Sequence, residues 1–510
     1  MTADLLARTL QEFLPAASRG VVVEQGEIIF DLESARHSVS SKGGRCLLHM
    51  WSAERNVVRE IVNLEPKKDA LYLSVRRFGQ AKPHKLMICR ERDQRTAVAR
   101  MTARTQYARR LEKSLARQFS GWTIGKLSTG MDLHRSFSPV YARGLVRQGN
   151  RAMAVLGVNA EETPAAVDAA LTFALIWLDD CRRRAGGRLT IEGLRLFVPP
   201  ERAATLQLRM AHLNKDRAKF QLCEFDETDS VGERTLELPR ALDSRLLPKA
   251  DEAAIRTYFA EAIRKISTHV PHADVVPLKP DEIAFRLHGL EFARARGTSQ
   301  PGMPLAAPEI IFGLAGFEAP LTPENEAAFV QFAREIAEGR RSGADRRDRL
   351  SRIYPERWLE SLIVKDVTAI DSQLDFAHVY SQVPAFSASD RSLIDVLTCT
   401  RAGRLAVLEL KADEDIHLPL QGLDYWARVQ WHHARGDFQQ NGYFAETRLS
   451  PAPPLLYLVA PSLRVHPAVE TILSYLSPEI EWRLAGIDER WRDGVKVVFR
   501  KQADRARLEY

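Results

Sequence analysis

Glu409 and Lys411 stand two residues apart in RLAVLELKADED, the stretch from Arg404 to Asp415. Side chains alternate along a strand, so Val407, Glu409 and Lys411 share one face, while Ala406, Leu408 and Leu410 share the other. Upstream, Asp395 lies in the apolar run RSLIDVLT, where a carboxylate is costly to bury unless it is paired or metal-bound. The turn TRAG joins the two stretches as an antiparallel hairpin, which can place Asp395 beside Glu409 at one end of a sheet. Two carboxylates so close repel each other, and a divalent cation removes that conflict. Hard oxygen ligands suit Mg²⁺ or Mn²⁺ rather than zinc. The competing reading of Glu409 and Lys411 is a surface ion pair, which contributes little.

Further chemistry-bearing residues flank this pair in order. Glu360 lies on a helix within RWLESLIVKDV, with Glu356 one turn earlier on the same face as a rival. Gln421 and Tyr425, in LQGLDYW, are one helical turn apart on one face. The ordered set of helical Glu, Asp395 and Glu409-Leu410-Lys411 resembles the PD-(D/E)XK nuclease superfamily. Gln421 to Tyr425 resembles the QxxxY helix of its RecB-type members. DVLTCTRAGRLAVLELK also looks like NucS-type endonucleases, where a β-rich N-terminal domain accompanies the nuclease domain. The resemblance covers roughly residues 351–460, about a fifth of the chain. One departure is that Ile394 precedes Asp395, so the proline of the motif is absent.

The resemblance implies metal-dependent hydrolysis of DNA phosphodiester bonds. Asp395 and Glu409 would hold Mg²⁺ or Mn²⁺, with the Leu410 carbonyl a further ligand and Glu360 completing the site or holding its water. Lys411 would orient or activate the attacking water and stabilise the phosphorane. Gln421 and Tyr425 would point back to the site. The alternative class is a non-catalytic nucleic-acid-binding or scaffold protein that keeps a nuclease-derived fold.

The elements that must position these residues occur twice. RRLEKSLARQF (109–119) matches RWLESLIVKDV (357–367), and GNRAMAVLGVNAEE (149–162) matches RAGRLAVLELKADE (401–414). VDAALTFALIWLDDCRRR stands where LQGLDYWARVQWHHAR stands in the second copy. GLRLFVPPERAATLQLRMAHL parallels LLYLVAPSLRVHPAVETILSYL. Aligned without gaps, Glu409 falls opposite Gly157, Lys411 opposite Asn159, Asp395 near Arg143 and Gln421 near Ala169, while Glu360 keeps Glu112 as its counterpart. The apolar scaffold is shared and the charged set is confined to the second copy, which points to chemistry rather than folding.

The expected architecture is α/β, with duplicated three-layer restriction-endonuclease-like domains, each on a central mixed sheet, and a β-rich N-terminal segment. Residues 1–100 read as that segment, a nucleic-acid-binding candidate, and 101–245 as a degenerate nuclease-like domain that binds DNA or organises a homodimer. Residues 246–350 read as a connecting α+β segment and 351–510 as the catalytic domain. Thr163-Pro164 supplies a cap and first turn for a long apolar helix.

The 510 residues are 45% hydrophobic and 27% charged, a globular composition, with a net charge of +7 that permits a polyanionic partner without requiring one. From Val75 to Arg117, thirteen Lys/Arg face three Asp/Glu, and RRFGQAKPHK sets Phe78 among Arg76, Arg77, Lys82 and Lys85. These four are the candidate nucleic-acid contacts, with the aromatic ring available for stacking. RRSGADRRDR (340–349) reads as a solvated connector, and the adjacent His432-His433 point different ways on their helix, against joint metal binding. Five scattered cysteines without a CxxC spacing fit a reducing cytoplasm rather than a disulfide or zinc framework. No stretch reads as a membrane span or a secretory signal, and no GxxxxGK[ST] loop or Ser-His-Asp arrangement occurs.

Overall fold

The computed structural model describes the chain apart from residues 1, 18–19, 25–26, 33–34, 43, 52–55, 68–69, 77–82, 91–96, 133–135, 227–232, 240–241, 243, 298–307, 315, 346–347, 387–390 and 504–510. The chain divides into two compact units, each built from two separate segments: residues 1–96 with 250–361, and residues 97–249 with 362–510. The four stretches read from the sequence thus combine alternately, first with third and second with fourth.

In the first unit, residues 21–89 form a seven-stranded sheet in which every neighbouring pair is antiparallel. The helix Ala3–Ala16 is capped by Thr2 and buries Leu6, Leu10, Phe13 and Leu14 against it. A five-stranded antiparallel sheet follows over residues 274–320, packed by the helices Ala260–His269 and Glu326–Gly339 through Ile266, Phe329, Ala333 and Ile336. The arginine-rich connector is only partly solvated. Arg340 is fully buried and donates to the carbonyls of Leu287, His288, Leu350 and Ile353, with its guanidinium 4.5 Å from the Trp358 ring centre. Arg349 bonds His49 and lies over Trp51. Both arginines tie distant segments of the unit together, Arg340 by satisfying several carbonyls at once and Arg349 through the His49 and Trp51 rings.

The second unit holds two mixed sheets with the same plan. In one, Tyr141–Gln148 runs antiparallel to Arg151–Val158, which is parallel to Thr190–Val198, itself parallel to Lys219–Phe225; Glu233–Leu236 closes that edge antiparallel. In the other, Arg391–Cys399, Leu405–Leu410, Leu455–Pro461, Trp482–Ile487 and Val497–Gln502 repeat the order and every direction. Two strands of the second sheet escape a simple reading of the sequence. Tyr380–Phe386 contains Pro384 and holds Gln382 at φ 53°, and Val497–Gln502 is a largely exposed edge, so neither shows a clear apolar alternation.

A long helix crosses each sheet after its second strand: Pro164–Ala185 and Leu418–Ala434. The first begins on the expected Thr163 cap and ends at Gly186 in the left-handed region, φ 51°. Leu171, Leu175 and Leu178 from one helix and Leu423 and Trp426 from the other join a single apolar core. Leu213 and Leu476 form an isolated antiparallel bridge between the two halves, flanked by Asn214 N–H to Tyr475 O and Ser477 N–H to His212 O, both 2.8 Å. Arg209 adds a two-pronged ion pair to Asp424, at 3.0 and 2.7 Å. Among the described residues, no helix is long and apolar enough to cross a membrane. All five cysteines are buried and unbridged.

Candidate active site

The strand Leu405–Leu410 lies mid-sheet, and all six of its residues are buried. Glu409 is its penultimate residue, with a side chain 1% exposed. Lys411 follows the strand, anchored by its N–H on the Val459 carbonyl at 2.9 Å, and its ammonium sits 2.9 Å from Glu409 Oε1. A second acid, Asp415, lies 3.9 Å from the same ammonium. The competing reading of a surface ion pair does not hold, since the pair is largely removed from water, where it is costly to assemble and costly to break.

Asp395 comes from the antiparallel neighbour. Val396 pairs with Leu408, so one further step along that register sets Asp395 opposite Glu409 on the same face. Its Oδ2 accepts the Leu410 N–H at 3.2 Å, which turns the carboxylate toward the Glu-Leu-Lys backbone. The helix Leu418–Ala434 covers this face. It approaches closely at Gly422, where a Cβ would meet Leu458 Cδ2 at 2.6 Å and the Glu409 Cβ at 3.5 Å. A glycine inside a helix is unfavourable without such a packing reason, so the Gly of QGLDY was a readable sign of this contact. Gln421, beside it, has a buried Oε1 without a hydrogen-bond partner among the described residues. Burial, then the negative charges of Glu409, Asp395 and Asp424, push the Tyr425 phenol far above its ordinary range. Tyr425 thus stays neutral within the field of both carboxylates.

The second unit therefore brings Asp395, Glu409, Lys411, Gln421 and Tyr425 to one end of one sheet. Glu360 belongs by sequence to the first unit's segment, and its carboxylate takes Arg357 Nη1 at 3.0 Å. His432 is a core residue held between Ser244 and Asp437, and His433 reaches the Ser450 carbonyl. Of the basic candidates, Arg76 lies 4.0 Å from Glu60, and Lys85 is exposed on the same face of the N-terminal sheet. Arg77, Phe78 and Lys82 lie outside the described residues.

The counterpart positions in the other sheet differ from those of a gap-free alignment. Leu156 pairs with Leu196 and shares the core beneath Pro164–Ala185, just as Glu409 pairs with Leu458 beneath Leu418–Ala434. Gly157 faces the opposite side, where a Cβ would strike Tyr107 and Leu111. Leu156 therefore stands for Glu409, and Val158, not Asn159, stands for Lys411. The cause is the hairpin turn, Gly149-Asn150 in one sheet and Thr400–Arg404 in the other: an error of one residue moves a side chain to the other face. Arg143, paired with Leu156, occupies the place of Asp395. It is buried, lies 4.6 Å from the Phe137 ring centre and donates to Gly130 O at 2.5 Å.

Oxygen donors, one deeply buried carboxylate, and a buried amide oxygen without a partner among the described residues fit a hard divalent cation at the Asp395–Glu409 pair. Among the described residues, the one group of three His, Cys, Asp or Glu ligand atoms within 4.8 Å of one another is Asp375, His378 and Cys399. It sits about 13 Å further along the Asp395 strand, at the hairpin end. There His378 is already bonded to Asp375 at 2.8 Å, and burial pushes the Cys399 thiol up to about 11. No known family model matches the chain, and no curated protein sequence matches it.

Proposed function

We propose that the chain is a metal-dependent deoxyribonuclease of the PD-(D/E)XK type, and that its two like-ordered sheets are a duplicated restriction-endonuclease-like domain with one competent copy. The observation that carries this reading is the placing of Asp395 opposite Glu409 on adjacent strands, with Lys411 on Glu409, under a helix bearing Gln421 and Tyr425. Asp395, Glu409 and the Leu410 carbonyl would hold Mg²⁺ or Mn²⁺. When bound, that ion lowers the pKa of a water and neutralises charge on the scissile phosphate.

The chain's own groups supply the rest. Lys411 lies against Glu409 and can orient the attacking water or stabilise the charge that develops on phosphate oxygens. Tyr425 stays protonated and donates. Gln421 offers a buried carbonyl oxygen to the water or the ion. Binding to DNA falls to basic residues such as Lys85 on the N-terminal sheet.

The test is incubation of the purified chain with single-stranded, double-stranded and branched DNA, and with RNA, in Mg²⁺ or Mn²⁺. Cleavage of DNA that is abolished in Asp395→Ala and in Lys411→Ala is the expected result. Cleavage that survives both changes, or binding without any cleavage, sinks the reading; the second outcome is that of a nucleic-acid-binding scaffold.

A further inference from the structure

The two halves of the second unit meet as a twofold-symmetric pair would. Leu213 and Leu476 close matching stretches of the repeat, and they bridge to each other. The flanking bonds are reciprocal: Asn214 N–H reaches Tyr475 O, and Ser477 N–H, its counterpart, reaches His212 O. The same holds between helices, since Ala204–Ala211 packs on Leu418–Ala434 while its counterpart Val469–Leu473 packs on Pro164–Ala185. Equivalent residues that exchange equivalent contacts define an isologous interface, the kind that joins two subunits of a dimer. Here both sides belong to one chain.

A twofold protein matches the local dyad of duplex DNA and presents one site to each strand. In this chain one of the two sites is chemically closed. Arg143, Leu156 and Val158 stand where Asp395, Glu409 and Lys411 stand in the other half, and the first three offer no carboxylate to an ion and no ammonium to a water.

On the basis of the nuclease reading above, we propose that the chain is a single-chain pseudo-dimer that nicks duplex DNA, cutting one strand for each binding event. In that cut, water adds across one phosphodiester: a new bond joins the water oxygen to phosphorus as one phosphorus–oxygen ester bond breaks. The water's proton ends on the departing oxygen, leaving one phosphate monoester and one hydroxyl. The Asp395–Glu409 half does the chemistry, and the Arg143–Leu156 half completes the twofold body.

The experiment is a time course on supercoiled plasmid with enzyme in excess and Mg²⁺ present, alongside mass photometry of the enzyme alone and on a short duplex. The expected result is conversion of supercoiled DNA to open circles, with linear DNA appearing only after a lag as independent nicks accumulate. The expected particle is one chain of 57.5 kDa per bound duplex. Linear DNA formed without a lag and lost in Asp395→Ala overturns the nicking inference and leaves the nuclease reading intact. Two chains per cleaved duplex also overturns it. No change in any plasmid form overturns both.

Discussion

At the scale of single residues, the site depends on charges held away from water. Lys411 is 13% exposed against a Glu409 that is 1% exposed. Glu409→Gln removes the charge that Lys411 balances and one of the two carboxylates proposed to hold the ion. DNA cleavage should fall by roughly 10²-fold or more, the scale of losing a group that acts in the transition state. Circular dichroism should show the fold retained, and a rate within threefold of wild type would exclude Glu409 from the chemistry.

Tyr425 gives a pH prediction. Its folded pKa is raised, so the unfolded chain loses that proton near pH 10 while the folded chain keeps it. Stability from this group is therefore intact below about pH 10 and declines above it, by about 1.4 kcal/mol per pH unit. Absorbance of tyrosinate at 295 nm, followed as pH rises, should show a phenol that titrates in wild type only on unfolding and is missing in Tyr425→Phe.

At the scale of elements, the fit of the helix Leu418–Ala434 onto its sheet decides whether Gln421 and Tyr425 reach the site. Gly422 is a point of close approach. Gly422→Leu inserts a side chain where a Cβ alone already meets Leu458 at 2.6 Å, so the helix must shift outward. We expect a loss of about 1–3 kcal/mol in urea denaturation, with cleavage falling further than stability alone explains. An unchanged denaturation midpoint would mean that the helix does not sit this close. Arg340 is the matching test in the first unit. Arg340→Met leaves four backbone carbonyls without their donor, at a cost of roughly 3 kcal/mol or more. Its affinity for DNA should not change in a salt titration, because a buried guanidinium neutralises no phosphate.

At the scale of the whole molecule, each compact unit is assembled from two distant segments of chain, so neither the first 96 residues nor the last 149 form a complete unit. Residues 362–510 expressed alone would expose the apolar faces of Leu423, Trp426 and Val469, which pack in one core with residues 97–249. That fragment should aggregate or bind a hydrophobic dye, whereas residues 97–249 and 362–510 expressed together should associate. A monomeric, dye-silent 362–510 fragment would show that the shared core is dispensable. Within that core, Arg209–Asp424 joins the two halves, and Arg209→Ala should destabilise by about 3–5 kcal/mol by leaving a partly buried carboxylate unpaired.

Most of the order of elements, the buried apolar strands, the Thr163 cap and the ordered Asp395, Glu409, Lys411, Gln421 and Tyr425 were legible in the sequence, because alternation and helical spacing are local properties. So was the likeness of the two α/β stretches. Tertiary structure alone decided three things. The face on which each counterpart lies depends on a hairpin turn of unequal length, and a one-residue shift turns Gly157 away and brings Leu156 in. The burial of Arg340, from a run that looked like a solvated connector, depends on carbonyls contributed from residues 287–288 as well as 350–353. The pairing of Leu213 with Leu476 depends on two surfaces 263 residues apart in the chain finding the same axis. Local spacing says which side chains share a face, but only packing between distant segments says what that face meets.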